Sequence, residues 1–440
     1  MADAKTLGNM SPELLKVAER ARREPNGRIL SLAHLLDVAA LRRAFDRARK
    51  NAAVGVDGVT KEQYGRDLEV RLADLHERLK SQRYRHQPIR RVHIPKESGK
   101  TRPIGISAFE DKLVQDAVRE VLEAVYEQDF LDCSHGFRPG RSAHDAVRAL
   151  NGAAGEGRVN WVLEADIVSF FDSMDREALL KMLQLRIADE SLLRLVGKCL
   201  RVGVLDGAEY FEPEMGTAQG SILSPLMGNV YLHNVLDMWF EREVKPRLRG
   251  HAMLIRYADD LAITFERQDD AERVMAVLGK RMERYGLTLH PDKTRLLPFG
   301  RPPSKQQGGK GPATFDFLGF TIFWKRSRNG RWRMQCKTRR ARLRRAITAV
   351  TDWCRSHRHL PVPAQHAALK RRIEGHYNYF GVNGNLRSLD VLFHEAIKTW
   401  HKWLRRRSQK RSLTWERFNA LLRRYPLPRP RIKVQIWAAN

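Results

Sequence analysis

Two adjacent aspartates, Asp259 and Asp260, sit between apolar runs in the stretch IRYADDLAITF, residues 255–265. Aspartate is depleted from strands, and a carboxylate on a half-buried ladder is costly unless a partner compensates it. A further acid, Asp166, closes the apolar run of WVLEADIVSFFD. If these acids meet on adjacent strands of one antiparallel sheet they repel one another, and a cation relieves that repulsion. Two Mg2+ ions suit the place: they are hard cations that take oxygen ligands, keep some waters and share the rest of their shell with substrate phosphates. Such a pair, roughly 3.5–4 Å apart, stabilises both the attacking and the leaving oxygen of an in-line displacement. The plainer reading is of unrelated acids capping turns on surface strands. It is the better one for an isolated Asp-Asp, but the strand setting and Asp166 weigh against it here.

The composition agrees with a phosphate-bearing partner. The chain has 440 residues, and 80 Lys and Arg against 51 Asp and Glu leave a formal charge of +29. A charge that large seeks polyanions, nucleic acid first; an anionic membrane surface is the competing partner. No apolar run reaches the length of a spanning helix, and the first twenty residues lack the apolar core of a signal peptide. A protein of the bacterial cytosol is therefore expected, with no membrane partner. The four cysteines, Cys133, Cys199, Cys336 and Cys354, form no close C-x-x-C pair, which argues against a zinc ribbon and a disulfide framework.

The elements that must position the acids follow from periodicity. Residues 11–50 are expected to be helical, opening on Ser11-Pro12 as N-cap and first helical position. A turn, GVDGVT, and an amphipathic helix over 64–84 follow. IRRVHIPK (89–96) alternates as a strand does, and the turn SGKT leads into a second strand, RPIGI. Another helix covers 108–130. Between 160 and 300 the runs WVLEADIVSFF and LIRYADDLAITF read as strands, while 176–187, 191–200, 224–241 and 270–286 read as helices. A Gly/Pro-rich loop at 301–312 marks a boundary, and FDFLGFTIFW after it resembles a hairpin. Residues 321–350 hold eleven Lys or Arg and no acid. The last hundred residues look helical and basic, with Trp353, Trp400, Trp403 and Trp415 interspersed, before the proline-rich YPLPRPRI.

These stretches together resemble the motifs of reverse transcriptases, specifically the group II intron-encoded reverse transcriptase/maturases. DIVSFFD (166–172), QGSILSPLMGNVYLH (219–233), YADD (257–260), GLTLHPDKT (286–294) and FLGF (317–320) are similar to that family's palm motifs, in order. PIRRVHIPKESGKTRPIGI and SHGFRPGRSAHDAV resemble its fingers, and GHYNYF (375–380) with WLRRRSQKRSLTWERFNALL its thumb. The likeness runs from about residue 50 to 432.

The resemblance implies an α+β right-hand polymerase: N-terminal extension and fingers over 1–155, a palm with an antiparallel sheet over 156–322, a helical thumb over 323–406 and a basic nucleic-acid-binding tail over 407–440. It implies Asp166 and Asp259 as metal ligands and catalytic residues, Asp260 supporting the same site, and the backbone carbonyl of Ile167 as a further ligand of the Mg2+ pair. Lys96 and Arg102 would grip the incoming triphosphate, in keeping with the need for cations on phosphoryl oxygens. Phe171 would lie under the sugar and exclude a 2′-hydroxyl. Gln219 would line the nucleotide pocket beside Gly220, where the missing side chain permits a tight turn; the family's usual Pro-Gln-Gly reads Ala218-Gln219-Gly220 here. Lys293 would approach the reaction centre, as general acid for the pyrophosphate or as a plain salt-bridging lysine.

Arg138 and Arg141 of FRPGRS stand either for template contact or for a helix-capping loop with Ser142 as N-cap. Arg339, Arg340, Arg342, Arg344 and Arg345, at three- and four-residue spacing, would put one helix face along a phosphate backbone. The implied partners are an RNA template, a DNA primer, dNTPs, a structured intron RNA and target DNA. A domesticated relative serving repair or phage defence, and a splicing factor with a vestigial polymerase site, are the rival readings. An RNA-templated RNA polymerase would need a polar residue where Phe171 stands. The family's optional C-terminal endonuclease is expected to be absent.

Overall fold

The computed structural model describes residues 10–95, 101–207, 209–212, 215–217, 219–302, 313–327, 329–407 and 413–437. Lys96, Ala218, most of the 301–312 loop and the end of the basic run at 408–412 lie outside them.

The first helix among the described residues is Pro12–Arg23, capped by the Ser11 hydroxyl, which accepts the Leu14 N–H. The expected helix over 11–50 is broken: Pro25 cannot continue it, and after a 3-10 turn at Ala33–Leu35 an α-helix resumes at Val38–Arg47, where the Asp37 carboxylate caps Ala40. In the gap Ile29 pairs instead with Ile187, fastening the N-terminal helices to the segment after helix Arg176–Gln184. Helix Leu68–Lys80 follows.

β1 (Ile89–Pro95) and β2 (Thr101–Ile106) form the expected hairpin. β1 also pairs in parallel with β4 (Val204–Asp206), which pairs with β5 (Glu209–Phe211), so the first sheet runs β2-β1-β4-β5. Helix Phe109–Tyr126 lies almost wholly in the interior. Helix Ala143–Gly155 starts at Ser142 with a capping box, Asp145 returning a bond to the Ser142 N–H, so the capping role read for Ser142 is present.

The second sheet runs β6-β7-β3-β8, with β3 at Trp161–Ala165, β6 at Ala252–Tyr257, β7 at Asp260–Phe265 and β8 at Arg295–Pro298. Every pairing in it is antiparallel. Its strands are apolar on both faces because both are covered. Leu163, Ala165, Leu254, Leu261, Ile263 and Phe265 join one core with the fingers helices. Val162, Ile255 and Ala262, alternating with them, face a second core shared with helix 143–155 and a three-stranded sheet. That third sheet, β11-β10-β9, comprises β9 (Phe315–Phe317), β10 (Phe320–Arg326) and β11 (Trp332–Thr338); its first two strands are the expected FDFLGFTIFW hairpin. Beyond it the helices Arg340–Ser356, Val362–Phe380, Leu386–Arg405 and Trp415–Arg424 pack around Trp400. The mixed α+β architecture, with antiparallel sheets and a helical C-terminal part, is that of a right-hand polymerase. Among the described residues no helix is long and apolar enough to cross a membrane.

Candidate active site

The long strand expected over 161–171 stops at Ala165, and Ser169, with φ +46°, starts a single helical turn over Phe170–Ser173. Asp166 therefore stands just past the end of β3. Register then decides where it goes: Ala165 is opposite Leu261 on β7, so Asp166 lies beside Asp260, the first residue of that strand. Asp259 occupies the two-residue turn between β6 and β7, where Tyr257 faces Asp260 and Ala258 has a φ of +56°. The three acids thus share one end of the central strands. IRYADDLAITF is two strands and a turn, which removes the apparent paradox of paired acids inside one strand.

Their fields interact. Burial, and then the Asp166 charge, raise the Asp259 carboxyl above the usual carboxylate range, against a pull downward from its own backbone N–H, Arg102 and Lys293. Asp260 opens onto solvent, but the surrounding chain crowds it. This desolvation, with Asp259 and Asp166 adding to it, pushes its pKa up to about 6. A site that resists holding its own negative charge is one that welcomes a cation. As the side chains stand, the Lys293 ammonium supplies one, bound directly to the Asp166 carboxylate. Among the described residues no three His, Cys, Asp or Glu side chains are gathered tightly enough to enclose a metal ion. The donor chemistry nonetheless fits a hard divalent cation, three carboxylates with a lysine standing where such an ion would neutralise them.

The segment after helix Gln268–Glu283 sets the backbone around Ile167 through an isolated antiparallel bridge, Ile167 to Leu289. Asp166 C=O accepts from His290 N–H at 2.8 Å, and Val168 N–H donates to Thr288 C=O at 2.8 Å. Lys293 N–H in turn donates to His290 C=O, so one short segment fixes both an acid and its ammonium partner.

The flank of the site is assembled from β2, the QGSIL loop and the helical turn Phe170–Ser173. Gly105 N–H donates to the Gln219 carbonyl at 2.6 Å, joining β2 to the QGSIL loop. At Gly220 (φ +113°) a Cβ would fall 2.4 Å from Gly105 O, so glycine is required by close approach as well as by conformation. Gln219 Nε2 donates to Asp172 at 3.2 Å. Phe171 is half-buried against Phe170, ring centroids 5.1 Å apart, and its carbonyl accepts the Thr217 N–H. Arg102 is exposed on β2, near enough to lower the Asp259 pKa.

The loop FRPGRS holds its two arginines differently. Arg138 does not face outward: its guanidinium is buried, paired with Glu127 at 3.1 Å and bonded to the carbonyls of Leu131 and Ser134. A planar five-donor group so satisfied stabilises its own loop and presents nothing to a template. Arg141 is bound to Asp132, Nη2 to Oδ1 at 2.6 Å. In the basic run, helix begins only at Arg340, with Lys337 and Thr338 in β11 and Arg339 as the cap. All five arginines from 339 to 345 are exposed. Arg339 pairs with Asp316 at 2.9 Å, and Arg342 is close enough to lower the Asp260 pKa.

Sequence reasoning missed the supports of the β6–β7 turn. Arg256 is wholly buried and uses all five N–H donors: two to Asp237, one each to Asn229, Ser134 and the Ala258 carbonyl. Gly136 presses on the same turn, since a Cβ there would lie 2.3 Å from Ala258 N. Gln115, also fully buried, accepts from Ile222 N–H and reaches Ser107 and His86, bracing the QGSIL loop. Asp237 lies in a π turn, His233–Asp237, inside what reads as one helix over 224–241; such bulges often mark functional positions. A charged residue inside an apolar strand pattern, Arg256 in LIRY, was the available signal.

An antiparallel four-stranded sheet with acids at one end, closed by a fingers hairpin and a helical thumb, defines the palm of a nucleic-acid polymerase. Residues 94–322 match the model of the reverse transcriptase (RNA-dependent DNA polymerase) family, and the chain belongs to that family. It is similar to protein YkfC of Escherichia coli (strain K12), 32% identical over 76% of this chain and 94% of that protein. It is also similar to the group II intron-encoded protein LtrA of Lactococcus lactis subsp. cremoris, 38% identical over 47% of this chain and 35% of LtrA. A 91 kDa protein in the cob intron of Schizosaccharomyces pombe is 35% identical over 53% of this chain and 29% of its own length. The chain thus covers nearly all of one relative and about a third of the other two. RNA-directed DNA polymerase is its enzyme class, and divalent metal ions are the cofactors such enzymes use.

Proposed function

We propose that Asp166, Asp259 and Asp260 hold two Mg2+ ions with the backbone carbonyl of Ile167, and that a primer 3′-OH attacks the α-phosphate of a dNTP there, templated by RNA. The observation that carries this reading is the register of β3 on β7, which puts Asp166 beside Asp260 and next to Asp259. The bound metal ions would lower the pKa of the attacking hydroxyl and take up charge on the leaving oxygen. The chain's own residues do the rest. Arg102 neutralises the triphosphate; Lys96, expected to share that task, lies outside the described residues. Phe171 closes the pocket on the sugar's 2′ side. Gln219, anchored to β2 through its carbonyl, walls the base side. Lys293, bound to the Asp166 carboxylate, would carry a proton able to pass to the pyrophosphate oxygen.

The division into fingers, palm, thumb and basic tail belongs to the same reading, as do RNA and DNA as partners. Likeness to LtrA supports binding of a structured intron RNA, help with its splicing and reverse transcription into target DNA; a chain serving repair or defence with the same chemistry is the rival reading. Primer extension tests the site: Asp259→Asn and Asp166→Asn should abolish synthesis while RNA affinity stays within about twofold, whereas equal loss of both would make the acids structural. Sequencing the RNA that co-purifies with the protein separates the two biological roles.

A further inference from the structure

The loop after helix Phe109–Tyr126 presents one side chain that nothing in the protein's own packing accounts for. Arg138 turns inward and Arg141 is held by Asp132. Phe137, between them and the catalytic turn, is 53% exposed and has a φ of +55°. A bulky residue in the left-handed region is a genuine outlier, and such strain persists only where the surroundings enforce it. Here they do so from both sides. Gly136 is wedged against Ala258 and its carbonyl accepts from Asn229 Nδ2 at 2.7 Å. Arg138 ties the following backbone to Leu131 and Ser134. The product of that enforcement is an aromatic ring standing in solvent, 6.3 Å from the ring of Tyr257, two residues before Asp259.

Burial explains neither the exposure nor the conformation. A ligand with a flat apolar face explains both. We propose that Phe137 is a stacking platform for a nucleobase of the primer–template held at the acids, a substrate contact separate from those to metal and triphosphate. Every base has a π-face, so stacking on an aromatic ring holds nucleic acid without reading its sequence, as an enzyme that copies any template requires. A rigid backbone suits the task because a ring that must meet a base at the reaction centre cannot swing. The inference rests on the polymerase reading of the neighbouring acids, and the base belongs either to the template strand or to the primer.

Two duplexes test it, one with 2-aminopurine at the primer terminus and one with it in the template opposite, titrated with the full chain without dNTP. Stacking on Phe137 quenches one probe, and which one names the strand. Phe137→Gly should lose that quenching and bind the duplex roughly tenfold more weakly, while Phe137→Trp retains both. Phe137→Gly should also unfold at the same or a higher temperature, because glycine accepts a positive φ without strain; a lower unfolding temperature would mean that the ring packs for stability, and would overturn the proposal. So would quenching that survives in Phe137→Gly, or an unmodified chain that extends primers but quenches neither probe. An unmodified chain that extends no primer at all would overturn the polymerase reading instead.

Discussion

Arg256 and Asp237 form a two-point ion pair, Nε to Oδ1 at 2.8 Å and Nη2 to Oδ2 at 2.6 Å, and neither side chain reaches solvent. The pair ties the strand that leads into the catalytic turn to a π turn of the helix behind it. Removing one partner of such a pair leaves a buried charge uncompensated, which costs about 3–5 kcal/mol. Arg256→Met should therefore lower the unfolding midpoint strongly, and Arg256→Met with Asp237→Leu should recover most of the loss. Urea unfolding of the three proteins checks this. A single variant as stable as the parent would show that the network is not what holds the turn.

Phe171 makes a prediction about substrate choice. Its ring packs beside Phe170, and Gly228 admits both: a Cβ there would come within 2.9 Å of the Phe170 ring and 3.3 Å of the Phe171 ring. The ring's position is thus fixed from behind, as a steric gate must be. Phe171→Ala should raise the kcat/KM ratio of rNTP to dNTP by roughly one to two orders of magnitude, with dNTP use reduced less. Steady-state incorporation of a matched rNTP and dNTP measures it, and unchanged sugar discrimination would remove Phe171 as the gate.

How far the sequence discloses this site depends on whether a residue's role is local. The acids were legible because paired carboxylates beside apolar runs violate strand preference, and Ser142 was legible because a capping box is written within four residues. Arg256, Arg138 and Gln115 were not. The side-chain partners of Arg256 lie 19 or more residues away, that of Arg138 lies 11 away, and the Ile222 bond of Gln115 spans 107; a charge inside an apolar strand pattern marks Arg256 as unusual but does not name its partners. β11 was hidden for a related reason. Met334 and Cys336 alternate inward properly, but Arg333 and Lys337, with Arg331 just before the strand, give the segment the look of a charge run. The break after Arg23, by contrast, was legible in Pro25 and was overridden by the apolar spacing on either side.

The basic helix Arg340–Ser356 yields a prediction about salt. Its arginines 340, 342, 344 and 345 are exposed, and Arg342 is near enough to feel Asp260. If this face follows a phosphate backbone, each contact releases counterions and contributes about one unit to the slope of log affinity against log salt. Replacing Arg340, Arg342 and Arg344 with Gln should flatten that slope by about two to three units for a template–primer duplex. Arg339→Gln, which loses a residue already paired with Asp316, should change it by less. Fluorescence anisotropy between low and moderate salt gives the slopes, and an unaltered value in the triple variant would clear the helix of the role.

Asp189 sets the pH dependence of how the N-terminal helices dock. Its Oδ2 accepts the N–H groups of Leu32 and Ala33 at 2.6 and 2.7 Å, and its Oδ1 that of Leu192 at 3.0 Å. Burial alone would raise its pKa, but these donors outweigh it and hold the carboxyl below the usual carboxylate range. A pKa depressed in the folded state means that the ionised form contributes stability above the unfolded value of about 3.9, lost as pH falls through the lower folded value. Asp189→Asn keeps one acceptor but turns an amide N–H toward backbone donors, so it should cost about 2 kcal/mol at neutral pH. The gap between variant and parent should stay level from pH 8 to pH 5 and close only below about pH 4, as followed by urea unfolding across that range. A gap that shrinks already between pH 7 and pH 5 would assign the effect to a different group, because no carboxylate with a depressed pKa gains a proton there.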